Sequence, residues 1–148
     1  MMFWRDIVFL VAGSGLAAFF SGAETGAYVI SRLRLRYRAS ERRERWAQRI
    51  ERLLDNTPIF VTAMLIWTNI ALDIVSVSCT SLYSRSSIGI DPEIAATLTA
   101  APILFIFAEL APKALFRQRA ERLMASSSRA LYASVYVVYP IAGTLSTM

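Results

Sequence analysis

Three long blocks of apolar residues, separated by shorter polar stretches, dominate the pattern along the chain. They cover about residues 7–30, 59–82 and 94–115. A helix rises about 1.5 Å per residue, so roughly 20 mainly apolar residues are enough to cross the hydrocarbon core of a bilayer. The pattern therefore predicts a single all-α membrane domain over residues 1–148. Its three transmembrane helices would pack around a few buried polar and acidic side chains.

The polar stretch after the first block, residues 32–55, alternates arginine with apolar side chains. Trp46, Ile50, Leu53 and Leu54 recur at the spacing of one helical face. This spacing predicts an amphipathic helix, or a pair of helices, lying on the membrane surface. A solvated basic linker is the alternative. Asp55 or Asn56 is a candidate cap for the second span, with Pro58 in its first turn.

A second juxtamembrane segment, residues 117–148, follows the third block. A short loop over residues 84–92 joins the second and third blocks. The apolar, tyrosine-rich stretch 130–145 is interrupted by Pro140. Tyrosine favours the headgroup zone, so we interpret this stretch as interfacial or as a membrane-skimming hairpin arm. A fourth span is the alternative.

Charge placement predicts the orientation. Of the sixteen Lys and Arg residues, nine lie in residues 32–55 and five in residues 113–129. The positive-inside rule places both segments in the cytoplasm, with the N-terminus outside and the C-terminus inside. The expected location is the inner (plasma) membrane.

Composition excludes several function classes. Hydrophobic residues make up 55% of the chain and charged residues 18%, against about a quarter charged in soluble domains. The chain has a net charge of +5, but its arginines flank apolar blocks, so we expect no nucleic-acid partner. It contains no histidine and one cysteine, Cys79, which argues against zinc and against a catalytic Ser–His pair. We therefore expect a protein that is not an enzyme.

Acidic and amide side chains inside the apolar blocks are the main functional signal. Glu24, Asn69, Asp73 and Glu109 lie there, and a charge at mid-bilayer costs at least about 2.5–3.5 kcal/mol. Asn69 and Asp73 share a helix face, as do Ser21 and Glu24. With no basic residue expected inside the spans, three uncompensated acids indicate a bound hard cation such as Mg²⁺, Ca²⁺ or Na⁺. The alternative is that the acids are protonated or serve helix packing.

Two expected helix irregularities support the cation hypothesis. Gly22 lies between Ser21 and Glu24, and Pro112 follows Glu109. Proline has no N–H and clashes with the carbonyl four residues earlier, so the third span should be kinked or widened beside Glu109. Unwound backbone at membrane depth is tolerated where it lines a cavity, and its carbonyls can coordinate cations.

Several motifs resemble the transmembrane domain of the CorC/CorB/CNNM family. They are Phe-Phe-Ser-Gly-Ala-Glu-Thr-Gly at 19–26 followed by Ser-Arg-Leu-Arg at 31–34, Leu-Leu-Asp-Asn-x-Pro at 53–58, Thr-Asn-Ile-Ala-Leu-Asp at 68–73 and Phe-Ala-Glu-Leu-Ala-Pro-Lys at 107–113. The resemblance covers nearly the whole chain. Its first and last motifs, in order and suitably spaced, are fairly specific.

The resemblance implies a homodimeric magnesium transporter, with Mg²⁺ export coupled to Na⁺ entry. The ion would lie in an inward-facing cavity between the helices. Ser21, Asn69 and Glu109 match the positions expected to hold it, with the backbone of Gly22 nearby and Glu24 in the same motif. Relatives continue into a CBS-domain pair that binds ATP and Mg²⁺. We expect that pair to lie outside this chain, which leaves no nucleotide site here.

The chain departs from the family pattern in its middle motif. Thr68 stands in place of the usual Gly, Ile70 in place of a polar residue and Asp73 in place of a second Asn. Asp73 adds a charge that could alter ion preference or Na⁺ coupling, so we assign it to ion coupling or to support of the ligands. The competing interpretation is a membrane anchor or regulatory subunit that modulates another transporter.

Overall fold

The computed structural model describes residues 1–86 and 89–146, and all secondary structure in these ranges is helical. The helices, in chain order, are α1 Met2–Val29, α2 Arg32–Ser40, α3 Arg45–Asp55, α4 Thr57–Ser84, α5 Pro92–Leu104, a π-helix Phe105–Leu110, α6 Ala111–Gln118 and α7 Ala120–Ser146. Residues 87 and 88 of the predicted loop, and residues 147 and 148 of the predicted second juxtamembrane segment, lie outside the described ranges.

The prediction of three spans is confirmed. Within the described residues, three helices are long and apolar enough to cross a membrane: Phe3–Val29, Thr57–Ser84 and Pro92–Gln118. The last of these, here called the third span, is α5, the π-helix and α6 joined end to end. We call the end with the loop between α4 and α5 the loop end, and the end with α2 and α3 the arginine end.

Small residues bring α1 close to the antiparallel α4. A Cβ atom added at Gly13 would lie 2.8 Å from Cγ2 of Val75, so a larger side chain would push the helices apart. Nearer the arginine end, the rings of Phe20 and Trp67 stack with their centroids 5.6 Å apart. Trp67 Nε1 also donates a hydrogen bond to the Ser134 carbonyl oxygen at 3.1 Å, which joins α4 to α7.

The arginine-rich segment, residues 32–55, forms a pair of helices, α2 and α3, which is one of the two forms predicted for it. Ala47, Ile50, Leu53 and Leu54 of α3 are buried in the core shared with α1, α4 and α7. The apolar face of α3 therefore contacts protein, whereas Leu33 of α2 is 82% exposed. Whether the pair lies on the membrane, and on which side, stays a prediction.

Backbone and side-chain contacts fix the turn between α3 and α4. Arg32 donates to the Leu54 carbonyl oxygen at 2.9 Å and to Thr57 Oγ1 at 2.8 Å. Asn56 occupies the N-cap position, but its side chain makes no capping hydrogen bond, and Asp55 is the last residue of α3. The side chain of Arg32 thus stabilises the start of α4, which the sequence assigned to a capping side chain at Asp55 or Asn56.

Pro140 does not interrupt the helix that contains it. α7 runs unbroken from Ala120 to Ser146 with Pro140 inside it. One face, with Met124, Leu131, Val135 and Val138, is buried in the core. α7 is not among the described helices apolar enough to span, which disfavours the fourth-span alternative.

Candidate functional site

The three spans meet at three alanines. Ala17 of α1, Ala71 of α4 and Ala108 of the π-helix form a buried cluster near the middle of the bundle. Small side chains at such a contact let helix backbones approach closely. Glu109 follows Ala108, Asn69 precedes Ala71 by two positions, and Ser21 lies about one turn beyond Ala17. By helix periodicity Ser21 shares the Ala17 face of α1, whereas Asn69, which is exposed, lies on a different face of α4 from Ala71.

The hydroxyl of Ser21 is fully buried and has no hydrogen-bond partner in the described part of the chain. By contrast, the hydroxyls of Ser14 and Ser78 each bond the carbonyl one turn earlier: Ser14 donates to Leu10 at 2.7 Å and Ser78 to Ile74 at 2.8 Å. Leaving a buried polar group unpaired costs about 1–3 kcal/mol. The Ser21 oxygen is thus a group that a ligand could satisfy.

Glu109 lies in the π-helix Phe105–Leu110, where the helix is wider than an α-helix. The backbone N–H of Ala111 bonds the carbonyl of Ile106, five residues earlier, and Pro112 has no N–H to donate. The predicted widening beside Glu109 is confirmed. Single π-helical turns inside α-helices occur frequently at functional sites.

Glu109 is not uncompensated, which corrects the prediction that no basic residue inside the spans neutralises the acids. Lys113 was expected at the very end of the third span, but the span continues five residues beyond it to Gln118. Lys113 Nζ is 3.1 Å from Glu109 Oε1, in an i, i+4 pair. Both side chains are more than a third exposed in this chain alone, so the pair is weak and open to exchange.

The acids are also not gathered around one point. Glu109 lines a cavity of about 450 Å³ between α4 and the third span. Asp73 lines a different groove, between α1 and α4, together with Arg5 and Asp6. No group of three or more acidic or cysteine side chains within metal-binding reach occurs among the described residues. Within the described residues Asp73 and Glu109 therefore do not face one common point, which leaves Glu109 as the carboxylate nearest the alanine contact in sequence.

The remaining predicted residues differ in exposure. Glu24 is partly buried and Asn69 is exposed, and neither side chain makes a hydrogen bond or ion pair within the described ranges. Gly22 does not break α1, which is continuous, so the predicted unwinding there is wrong. Instead, Gly22 gives space to Phe116, because an added Cβ would lie 2.3 Å from its ring. The assignment of Ser21, Gly22, Glu24, Asn69, Glu109 and Asp73 to ion binding stays a prediction.

Sequence reasoning missed a polar cluster at the loop end. The carboxylate of Asp6 is buried beside Arg85, at 3.4 Å, and accepts a hydrogen bond from Ser81 at 2.9 Å. Asp6 lies just before the first apolar block, and Arg85 lies just beyond the second. A search for opposite charges at neighbouring ends of antiparallel spans could have found this pair.

Comparison with known families agrees with this architecture. Residues 7–148 match the family model described as "CNNM: Cyclin M transmembrane N-terminal domain". The chain belongs to the CorC/CorB/CNNM family. This chain, a CNNM membrane domain, is 30% identical over 130 residues to a "UPF0053 protein" of Haemophilus influenzae, with 85% of this chain and 30% of the relative covered.

A second relative is the "UPF0053 inner membrane protein YfjD" of Escherichia coli K12. It is 28% identical over 137 residues, which cover 90% of this chain and 31% of the relative. The CNNM domain described here therefore spans about a third of the length of these two relatives.

Proposed function

We propose that this CNNM domain carries Mg²⁺ across the inner membrane, as a homodimer that couples Mg²⁺ export to Na⁺ entry. The transported ion would be held at the alanine contact by oxygen atoms of Ser21, Asn69 and Glu109, with Gly22 and Glu24 bordering the site. Asp73, in its separate groove, would act on ion coupling rather than as a direct ligand.

The observation that carries the proposal is the unpartnered hydroxyl of Ser21 beside the meeting point of the spans. Mg²⁺ prefers compact oxygen ligands and usually keeps several of its waters. One carboxylate with a neutral hydroxyl and an amide oxygen suits such a partly hydrated ion. The widened helix at Glu109 provides room for those waters.

The dimer and the orientation have their own support. Only 11% of the most apolar stretch of the third span is buried in this chain, which leaves a long face for lipid or a second copy. By the positive-inside rule, the arginine-rich segments favour a cytoplasmic arginine end and an N-terminus outside. The inner membrane is also named in the description of the Escherichia coli relative.

The ion pair between Glu109 and Lys113 favours the competing function, a membrane anchor or regulatory subunit, because a paired carboxylate can serve helix packing alone. The two functions differ in what neutralisation of Glu109 does. A transported cation needs the charge, whereas a packing role needs only the size of the side chain.

Mg²⁺ flux into liposomes, with and without a Na⁺ gradient, tests the proposal. We expect flux for the unaltered protein and none for Glu109→Gln, which should stay folded but lose its thermal stabilisation by Mg²⁺. Ser21→Ala should lower flux about tenfold or more, since it removes one ligand oxygen. Ser14→Ala is the matched control, because that hydroxyl is already bonded to Leu10. Folded Glu109→Gln protein with unchanged flux would support the anchor function instead.

A further inference from the structure

The cavity of about 450 Å³ between α4 and the third span forms a continuous track from the loop end to Glu109. Its lining residues recur every fourth position, so they form a stripe along each helix. On the third span the stripe is Glu93, Thr97, Ala101, Phe105 and Glu109, and on α4 it is Leu72, Ser76 and Thr80. At about 1.5 Å per residue, the distance from Glu93 to Glu109 is roughly 24 Å.

The track changes in polarity along its length. Near the loop end it is lined by the exposed carboxylate of Glu93 and by hydroxyls of Thr97, Thr80 and Ser76. Beside Glu109 the lining is apolar, with Leu72, Leu104 and Phe105. An acidic mouth raises the local concentration of cations, and a hydrophobic constriction blocks ions by excluding water.

Two hydroxyls of the track argue for contact with water rather than lipid. Ser76 and Thr80 make no hydrogen bond within the described ranges. In a lipid-facing helix a hydroxyl normally bonds the carbonyl one turn earlier, because the hydrocarbon offers no other partner. Thr97, at the same level, does bond the Glu93 carbonyl, at 2.8 Å.

We propose that this track is the loop-end half of the cation path, with Glu93 as a cation-attracting residue at its mouth and Leu72, Leu104 and Phe105 as the apolar barrier before Glu109. The inference rests on the proposed transport function, since the track ends at Glu109. It adds a second carboxylate, Glu93, that determines which ions enter from the loop end.

Cys79 is a built-in reporter, because it is the only cysteine of the chain and lines the track, although only 6% of it is exposed. Its modification therefore requires the reagent to enter between α4 and the third span. In nanodiscs, where both ends are accessible, its rate of modification is measured with a cationic and an anionic methanethiosulfonate of similar size. Each rate is divided by that of the same reagent with a free thiol in solution. A carboxylate about 8 Å away in water raises the concentration of a monovalent cation about 2.3-fold and lowers that of an anion by the same factor, so the cation-to-anion ratio should change roughly fivefold.

We expect the unaltered protein to favour the cationic reagent and Glu93→Gln to lose about fivefold of that preference. Asp55→Asn removes an equally exposed acid at the other end of the bundle and should leave the ratio unchanged. Cys79→Ala supplies the blank. An equal preference in Glu93→Gln, or no modification of Cys79 by either reagent, would overturn the proposal.

Blocking the track gives a second, charge-independent test. Thr97→Trp should slow both reagents several-fold and slow Mg²⁺ flux. Leu98→Trp, at an adjacent exposed position outside the track, should slow neither. The modification rates are read without any ion flux. If neither Glu93→Gln nor Thr97→Trp changes the modification rates of Cys79 while Mg²⁺ flux persists, the cation path lies elsewhere and the proposed transport function stands. If Mg²⁺ flux is absent while Glu93→Gln changes the modification rates of Cys79, the proposed transport function is wrong.

Discussion

The arginine end and the loop end of the bundle are held together by different means. At the arginine end, α1, α3, α4, α6 and α7 share a continuous apolar core that includes Phe20, Ile50, Phe60, Met64 and Met124. At the loop end the buried core is Val75, Cys79 and Ala96. A cavity and a buried, charge-paired Asp6 occupy the space that further apolar side chains would fill.

This difference in packing indicates which end of the bundle can change conformation. Close-packed cores resist rearrangement, because every displaced side chain leaves a void or a clash. Polar contacts beside a cavity can be exchanged for water at low cost. We therefore infer that the arginine end is the rigid frame and the loop end the part that opens, with the three alanines and Glu109 at the boundary between them.

The largest expected effect is on the frame, from Gly22→Leu. An added Cβ would lie 2.3 Å from the Phe116 ring, so the leucine must displace α6 from α1. Overpacking of this kind costs up to about 3 kcal/mol. Thermal unfolding in detergent should show a large loss of stability, and Phe116→Ala in the same protein should recover part of it.

Gly15→Leu is the matched control on the same helix. No atom lies within 4 Å of a Cβ added at Gly15, so the substitution should be neutral or slightly stabilising through helix propensity. If both glycine variants behave alike, close contact between α1 and α6 does not contribute to the rigidity of the arginine end.

An intermediate effect is expected at the loop end, from Asp6→Asn. The amide keeps the size and the bond to Ser81 but loses the attraction to Arg85. Because Arg85 is partly exposed, the loss should be about 1–2 kcal/mol rather than the larger values of fully buried pairs. Asp91→Asn, at an exposed acid of the same end, should change stability by less than about 0.5 kcal/mol. A smaller loss of stability for Asp6→Asn than for Asp91→Asn would show that the Asp6–Arg85 pair does not stabilise the loop end.

Much of the fold could be predicted from the sequence, because apolar block length and arginine placement are local signals. The spans, the amphipathic α3 and the irregular helix at Glu109 all follow from such signals. The role of Gly22 could not be predicted, because it depends on Phe116 of a distant helix. The continuity of α7 through Pro140 likewise could not be predicted, because a proline can either kink a helix or end it.

The candidate site was less accessible to sequence reasoning, since helix periodicity gives the face of one helix but not the rotation of another against it. Asp73 and Glu109 lie in the middle of adjacent spans, yet they line separate cavities. Hydropathy identifies the helices that form the bundle. Which acids lie together depends on how those helices are rotated against each other, which the sequence does not give.

The smallest expected effect on stability comes from Lys113→Gln. This substitution also tests whether Glu109 lies at the boundary between the rigid arginine end and the loop end that opens. The Glu109–Lys113 pair is more than a third exposed, so its loss should cost less than about 1 kcal/mol. If Glu109 binds the transported ion, Lys113 competes with that ion for the same carboxylate, and its removal should lower the Mg²⁺ concentration needed for half-maximal thermal stabilisation several-fold. Arg117→Gln controls for net charge, because Arg117 makes no ion pair within the described ranges. If Lys113→Gln lowers stability but leaves the Mg²⁺ dependence equal to that of Arg117→Gln, the pair belongs to the frame, and the boundary between the rigid and the opening half lies on the loop-end side of Glu109.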